Sequence, residues 1–424
     1  LGRIFFLNTM SFVAVNKRFF GVLALIGAAM FLFSTCVSRQ AEEIDPVIIL
    51  PDSNRLVGSK SCQSCHADIY RNFLATAHNK TSKPGLKKYI LGSFEKDKST
   101  YVFNATDGVI MAENDSGLYQ ANFINRKLDK AYKFDIVIGS GARGQSYLYW
   151  SGNRLFQLPI SYFTQTDSWS NSPGYPEDFA MFSRGIPSEC MGCHSSYIKD
   201  ISDPAKKYDE FDRNQIVYGI NCEKCHGAGG KHVDFHTQNP AEKQAKFIVN
   251  AAKLSQRQQL DACGVCHSGI NNEMTLPLGF HTGDTIYHQP EIASDSIVKP
   301  DVHGNQYGLL VKSKCFRVSG TITCSTCHNA HNQERGNLAL FSQRCMSCHT
   351  PEKGHFCTMA PEAGKENLVS NCIDCHMPTR ESKFLNVKVY GEAKHKPAVL
   401  RTHQIAIYPE DAKKMQQFMK AAKK

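Results

Sequence analysis

The sequence predicts a loop-rich chain with short α-helices arranged around stacked, covalently held prosthetic groups, plus a small antiparallel β insert. Three observations predict it. Fourteen of the 17 Cys fall in seven copies of Cys-x-x-Cys-His, where chance placement would give roughly 0.03 such pentads. One pentad stands alone at 62–66 and the other six begin at 190, 222, 263, 324, 345 and 372, leaving a long pentad-free stretch after the first. The remaining composition is ordinary, 42% hydrophobic and 21% charged, which excludes a disordered or fibrous chain. No internal stretch is apolar enough to cross a bilayer, so a polytopic membrane protein is excluded too.

The N-terminus is expected to direct the chain out of the cytoplasm. Lys17 and Arg18 precede an apolar run at residues 19–33, and Ser34, Thr35 and Cys36 follow. That pattern is a secretory signal, and Cys36 sits where a lipoprotein signal places its acylated cysteine. The alternative is an uncleaved N-terminal anchor. Residues 1–36 are therefore expected to be signal or anchor. Either form associates the N-terminus with a membrane and makes the protein exported, periplasmic or outer-membrane-associated, with Cys36 as the lipid anchor point. Besides the pentads and Cys36, only Cys315 and Cys357 remain. In an oxidising compartment they form a candidate disulfide, with two buried free thiols as the alternative.

Residues 37–56, polar and holding Pro46 and Pro51, are expected to form a tether. Residues 57–97 form the first pentad segment. Residues 98–168 are expected to be a β-rich insert of about six short strands, at 101–103, 109–111, 118–124, 134–138, 146–150 and 155–163. Turns at Asp107-Gly108 and Asp115-Ser116-Gly117 separate the first of these. The insert holds Gly139-Ser140-Gly141-Ala142-Arg143-Gly144, a match to GxGxxG. A dinucleotide site needs a helix to start there. The residues that follow, 145–150, have strand character, so a turn is expected. Residues 169–410 form a six-pentad domain of loops and short helices, with a helix at 241–254. Residues 411–424 are expected to be a basic amphipathic helix docked on the surface, with Met415, Phe418 and Met419 on one face.

In Cys-x-x-Cys-His the two thiols add across the vinyl groups of a porphyrin, and the adjacent imidazole becomes a ligand of its iron. The seven sites are Cys62/Cys65/His66, Cys190/Cys193/His194, Cys222/Cys225/His226, Cys263/Cys266/His267, Cys324/Cys327/His328, Cys345/Cys348/His349 and Cys372/Cys375/His376. Zinc knuckles also use paired Cys-x-x-Cys, but they do not require His after every second Cys. The expected cofactor is therefore haem c, seven copies, covalently bound. A cytosolic metabolic enzyme is excluded.

Ten His lie outside the pentads: His78, His232, His236, His281, His288, His303, His331, His355, His395 and His403. Seven six-coordinate haems would use seven of them. His331 lies three residues after His328, and His232 and His355 each lie six after a pentad His. So close to one attachment point, such a His is expected to reach a neighbouring haem. His232 and His236 are spaced i, i+4 and share a face if helical.

At these residues the chain resembles the multihaem cytochromes c related to the tetrahaem cytochrome of ammonia oxidisers, pentahaem nitrite reductase and octahaem hydroxylamine oxidoreductase. Cys62 to His78, with Tyr70 and Ala77, is similar to the family's first haem segment. Cys222 to Val233 is similar to its CxxCHGxGxxHV. Cys324 to His331 is similar to its CxxCHxxH, and Cys372 to Pro378 followed by His403 to its CxxCHMP segment and late distal His. The resemblance spans about residues 56–410. It implies His78, His232, His331 and His403 as distal ligands, and also His303, His355 and His236. No pentad has the CxxCK form of the nitrite reductase active haem, so that activity is not implied.

The charge of +10 is mostly offset by the carboxylates that seven haems would bring, which argues against nucleic acid as a partner. The function expected is electron transfer through closely spaced, mostly bis-His haems. Its partners would be redox proteins: other cytochromes, a quinol dehydrogenase or a terminal reductase. The alternatives are an oxidoreductase acting on small nitrogen or sulfur compounds at one open-site haem, and a subunit of an electron-conducting filament. An enzyme is the less favoured reading, and no catalytic residue is assigned.

Overall fold

The computed structural model describes residues 45–269, 278–286, 300–354, 356–357 and 370–421. The segment 1–36 with Cys36, most of the tether, His288 and His355 lie outside the described residues.

Most of the ordered framework is antiparallel sheet. Thr100–Val102, Asp107–Asn114, Gly117–Ile124 and Lys127–Lys133 form a four-stranded meander. Its last turn places Asn125 and Arg126 at φ 50° and 64°, the doubly left-handed geometry that suits the twist of a two-residue hairpin. An eight-stranded sheet runs from Lys396–Arg401 through Thr379–Val389, Ser168–Asn171, Ile160–Phe163, Gly144–Ser151 and Ile136–Ile138 to Ser82–Pro84. Arg154–Gln157 pairs on the far end of Gly144–Ser151.

This overturns the expectation of a small sheet confined to an insert. Strands from the first pentad segment and from the far C-terminal part complete it. Ser82–Pro84 pairs with Ile136–Ile138, and Thr379–Val389 pairs with Ser168–Asn171. Their recruitment follows from edge chemistry: unpaired strand edges need partners, and the pentad region supplies them. A further hairpin, Ser195–Asp200 with Phe211–Tyr218, directly follows the second pentad.

The strand Gly144–Ser151 is buried on both faces, and this positions the pentads. Tyr147 and Tyr149 point into the core between the two sheets, with Val109, Met111, Leu118, Phe134, Ile160 and Trp169. Leu148 points the other way, into a second core with Ile136, Leu155, Phe211, Ile216 and Met191. Met191 lies inside the second pentad, so the sheet grips that pentad directly. From residue 222 to 354 the apolar clusters among the described residues are small, centred on Val265, Phe280 and Ile286.

The expected helix at 241–254 is absent. Helices lie on either side of it, Gly230–Gln238 and Gln256–His267, and only a short 3₁₀ turn at Ala251–Lys253 falls within it. Tertiary contacts override the local preference. The Lys246 carbonyl accepts from His232 Nδ1 at 2.8 Å, and the Val249 backbone N–H and C=O bond His226 at its carbonyl and Nδ1. The C-terminal helix is Pro409–Ala421. Its first turn is held by a two-pronged Arg380–Asp411 ion pair, while Phe418 remains 69% exposed rather than docked.

Candidate haem-binding sites

Each pentad occupies about one helical turn. The seven lie in or against Ser59–Cys62, Ser188–His194, Cys222–His226, Gln256–His267, Cys324–Cys327, Leu338–Met346 and Ile373–His376. The N–H of the pentad His donates to the carbonyl of its first Cys in the first, fifth, sixth and seventh pentads, at 2.9, 2.9, 3.0 and 3.1 Å. One turn places Cys i, Cys i+3 and His i+4 on a common face, which is what lets two thiols and one imidazole meet a single planar group.

Three of these imidazoles meet a second imidazole from elsewhere in the chain. His226 and His331 stand 6.1 Å apart, within 10° of parallel. His328 and His403 are 6.2 Å apart at 27°, and His267 and His78 are 6.1 Å apart at 64°. With metal–nitrogen bonds of about 2 Å, two imidazoles on opposite sides of one metal place their ring centres roughly 6 Å apart. The residues present therefore fit an axially coordinated iron whose other four positions come from a macrocycle.

The ring nitrogens are prepared for that role. Nδ1 of His226 lies 2.9 Å from the Val249 carbonyl, and that of His376 lies 2.9 Å from the Ala406 carbonyl. Nδ1 of His194 meets the Thr81 hydroxyl and that of His267 meets Gln306 Oε1, both at 3.2 Å. Engaging Nδ1 leaves Nε2 for a metal and fixes the ring. Burial favours the neutral form that a ligand needs in several of the candidate imidazoles. It pushes His78, His194 and His403 down to about 4, with facing imidazoles adding to the effect. His267, His303, His328 and His331 are lowered chiefly by burial as well.

Exposure varies between the pentads: Cys225, His267 and His328 are exposed, as are residues of the first and sixth. Cys65, predicted as a thioether position, is exposed, and so is the adjoining His66. The Cys65 thiol accepts a long contact from the Ser64 hydroxyl, 3.9 Å, and adds to the field on Cys62. His349, predicted as an iron ligand, is likewise exposed beside an exposed Cys348. Its backbone is fixed by the 3.0 Å bond to the Cys345 carbonyl, and its ring acts on the Cys372 thiol of the seventh pentad. The difference is in the surroundings: protein does not enclose these two residues as it does the half-buried His194. The physical reason is where the pentads stand. Met191 roots the second pentad in a core between strands, and Val265 roots the fourth in a small apolar cluster. The inner positions of the first and sixth are Gln63-Ser64 and Met346-Ser347, none of which is buried. With no apolar anchor these two turns end at the surface, whereas Met191 holds His194 half-buried; the fourth pentad lies between, with Val265 buried and His267 exposed.

The remaining predicted ligands are placed differently. His303 lies close enough to His194 to perturb its titration. His232 and His236 stand side by side on one helix, 4.6 Å apart, too close to flank one metal. His236 Nε2 is buried with no hydrogen-bond partner among the described residues. Among the described residues no second imidazole ring stacks on His66 or His376. Of the surplus His, His281 is exposed beside Asp284 and His395 contacts Glu177 at 2.9 Å.

The pentads form a connected path. The thiols of Cys62 and Cys222 touch, as do Cys193 with Cys266, Cys263 with Cys324, and Cys345 with Cys372. Cys225 lies in the field of Cys263 and Cys266, and Cys327 in that of Cys348. The first pentad thus adjoins the third, and the third the fourth. The fourth also adjoins the second and the fifth, and the fifth leads through the sixth to the seventh. Cys315 and Cys357 are both free thiols, against the expected disulfide. Each instead adjoins a pentad: Cys315 lies by Cys327 and Cys357 by Cys375.

Sequence reasoning missed the partners that orient the rings. Thr81, Gln306 and the carbonyls of Val249 and Ala406 carry no motif, because each acts across the fold. Glu223 is another: its buried carboxylate accepts backbone N–H groups from Val57, Gly58 and Gly229 at 3.0, 2.9 and 2.8 Å, joining the first pentad to the third.

Comparison with known proteins gives two matches. The family model for cytochrome c554 and c-prime matches residues 177–227, which hold the second and third pentads. The multiheme cytochrome MtrA of Shewanella baltica (strain OS185) is 24% identical over 183 residues, 39% of this chain and 53% of the relative. The match thus spans about half the length of that relative. No solved structure matches. The pentads and both matches together support a multihaem c-type cytochrome, with covalently bound haem c, that takes part in electron transfer.

Proposed function

We propose that the chain is a heptahaem cytochrome c that carries single electrons between redox proteins outside the cytoplasm, through mostly bis-His haems. The observation that carries this reading is the parallel pair His226–His331 at 6.1 Å. Two imidazoles from distant segments, each neutral or with Nδ1 engaged, are held at the span of one axially ligated iron. Bound haem c supplies one-electron chemistry at iron. The chain supplies spacing, axial nitrogens and exclusion of water. In this reading His78, His331 and His403 are distal ligands opposite His267, His226 and His328, and His303 serves His194. His232, His236 and His355 serve the remaining sites.

The connected thiols support a branched relay in which the fourth haem is the junction and the second a side branch. Short steps between adjoining pentads suit electron passage better than bond-making chemistry. The partners would be other cytochromes, a quinol dehydrogenase or a terminal reductase. The signal expected at 1–36 would export the chain, with Cys36 as the lipid attachment point.

Intact mass of the exported protein tests the haem count, with seven haem additions expected. Electron paramagnetic resonance of the ferric protein tests the ligation and should be essentially all low-spin. A high-spin signal in one haem, together with turnover of nitrite or hydroxylamine, would overturn the carrier reading in favour of an open-site oxidoreductase.

A further inference from the structure

The turn at residues 139–144 looks like a phosphate-binding loop in sequence, yet the strand Gly144–Ser151 follows it. No helix N-terminus is there to receive a phosphate. The turn is nonetheless built tightly. Gly139 and Gly141 take φ 105° and 79°. A Cβ on Gly139 would lie 2.7 Å from the Gly144 carbonyl oxygen, and one on Gly141 would lie 2.4 Å from Leu91 Cδ1. Thr164 ties the turn down twice: its N–H donates to the Arg143 carbonyl at 2.9 Å and its hydroxyl to the Gly141 carbonyl at 2.7 Å.

This turn is wired to the second pentad. The Gly139 N–H donates to the Thr81 carbonyl at 2.6 Å, and the Thr81 hydroxyl meets His194 Nδ1 at 3.2 Å. The neighbouring Ser82 hydroxyl donates to the His194 carbonyl. Arg143, held by the turn, lies in the electrostatic field of His303, the imidazole near His194.

Among the described residues Arg143 forms no ion pair. Its Nε is buried with no hydrogen-bond partner among the described residues. Burial is the main force against its charged form, and Arg335 adds a second positive field. The carboxylate beside His303 is Asp301, already taken up by the N–H groups of His303 and Lys383 and by the Ser382 hydroxyl. A guanidinium does not deprotonate in a protein, so partial burial beside another cation calls for an anion. Its planar fork matches a carboxylate.

We propose that Arg143, presented by the turn at 139–144 and assisted by Arg335, binds a carboxylate of the haem attached at Cys190 and Cys193. This rests on the heptahaem reading and assigns a role to the β sheets: they deliver a charge that holds the second haem and sets its potential. A free oxyanion has the same chemistry. The haem carboxylate is favoured because the turn is hydrogen-bonded through Thr81 to that pentad's own imidazole.

The test is spectroelectrochemical titration of the exported, haem-loaded protein with R143Q, R143K and R335Q, alongside intact mass. R143Q is expected to keep every haem and lower the midpoint potential of one of the seven, because losing a cation favours ferric iron. R143K should restore most of the shift, and R335Q should move the same component less. Unchanged potentials in R143Q and R335Q at full haem content would overturn the proposal. A wild-type potential that moves on adding nitrite or sulfite, a response R143Q abolishes, would overturn it in favour of a free-anion site. If R143Q does not fold, R143K and R335Q decide by the same readout. Peptide mapping that finds no haem at Cys190 and Cys193 would overturn the haem reading itself, which the potentials alone would not.

Discussion

His226 and His331 face each other within 10° of parallel, although one closes the third pentad and the other follows the fifth. A haem attached at Cys222 and Cys225 would thus take its second ligand from the segment that carries a different haem. Ligation and tertiary structure are then one constraint. In the proposed heptahaem protein, replacing His331 with Ala should convert one haem to high spin, open it to carbon monoxide and leave the others low-spin. His331→Met should keep six ligands and raise that haem's potential, since thioether ligation favours ferrous iron. Resonance and redox titration of the two variants check this; an unchanged spin state in the Ala variant would remove His331 from the ligand set.

Glu334 and Arg344 carry the next tie. The guanidinium bonds both carboxylate oxygens at 2.6 and 2.7 Å and also donates to the Cys327 carbonyl at 2.7 Å. Arg344 precedes Cys345, so one ion pair joins the fifth pentad to the sixth. The Arg344 hydrogen bonds are the main cause holding Glu334 down to about 2, against roughly 4.3 for an unfolded glutamate. A carboxyl whose folded value is depressed stabilises the fold above its unfolded value, and that stabilisation is lost as pH falls through the folded one. Glu334→Gln should cost about 1–3 kcal/mol at pH 7. The gap from wild type should narrow as pH drops from about 4 towards 2. Denaturation curves at pH 7 and at low pH measure it, and an equal gap at both would contradict the role of the charge.

The helix Gln256–His267 delivers the junction pentad, and its start is a reciprocal cap. Ser255 Oγ accepts from the Gln258 N–H at 3.3 Å, and Gln258 Oε1 accepts from the Ser255 N–H at 3.1 Å. Ser255→Ala should destabilise the protein by about 1 kcal/mol. Because the cap sits at the far end of the helix from His267, haem content and potentials should not change. Denaturant titration followed by intact mass separates the two effects.

What was legible in the sequence was local. Seven pentads and most insert strands could be read because their signal lies within a few residues. The edge strand Lys127–Lys133 was missed because it is largely charged and exposed, as edge strands that resist aggregation tend to be. The false helix at 241–254 had helical residues, but two imidazoles claimed its backbone carbonyls at Lys246 and Val249. The C-terminal strands Thr379–Val389 and Lys396–Arg401 join a sheet begun far earlier in the chain, at Ser82–Pro84. No window of local pattern carries that pairing. The same holds for imidazole pairing: candidates could be named, while their partners depend on contacts such as His328 with His403.

The two sheets are joined by a side chain acting as backbone. Gln120 is fully buried on the meander, and its amide donates to the Ile160 carbonyl at 2.6 Å and accepts from the Ile160 N–H at 3.0 Å. Leu118, Gln120 and Asn122 share the face turned inward, so a polar residue is held where the strand alternation asks for an apolar one. Gln120→Leu would keep the volume and strand both Ile160 groups without partners, at about 1–3 kcal/mol each. The expected loss is therefore on the order of 2–6 kcal/mol, with faster amide exchange at Ile160 and its neighbours. Gln120→Glu should be at least as damaging, because it removes the donor and buries a charge. Haem content should stay complete in any Gln120→Leu protein that folds, since the bond lies on the opposite face of the sheet from Met191 and the second pentad. Exchange rates unchanged at Ile160 would show that the two sheets do not depend on this contact.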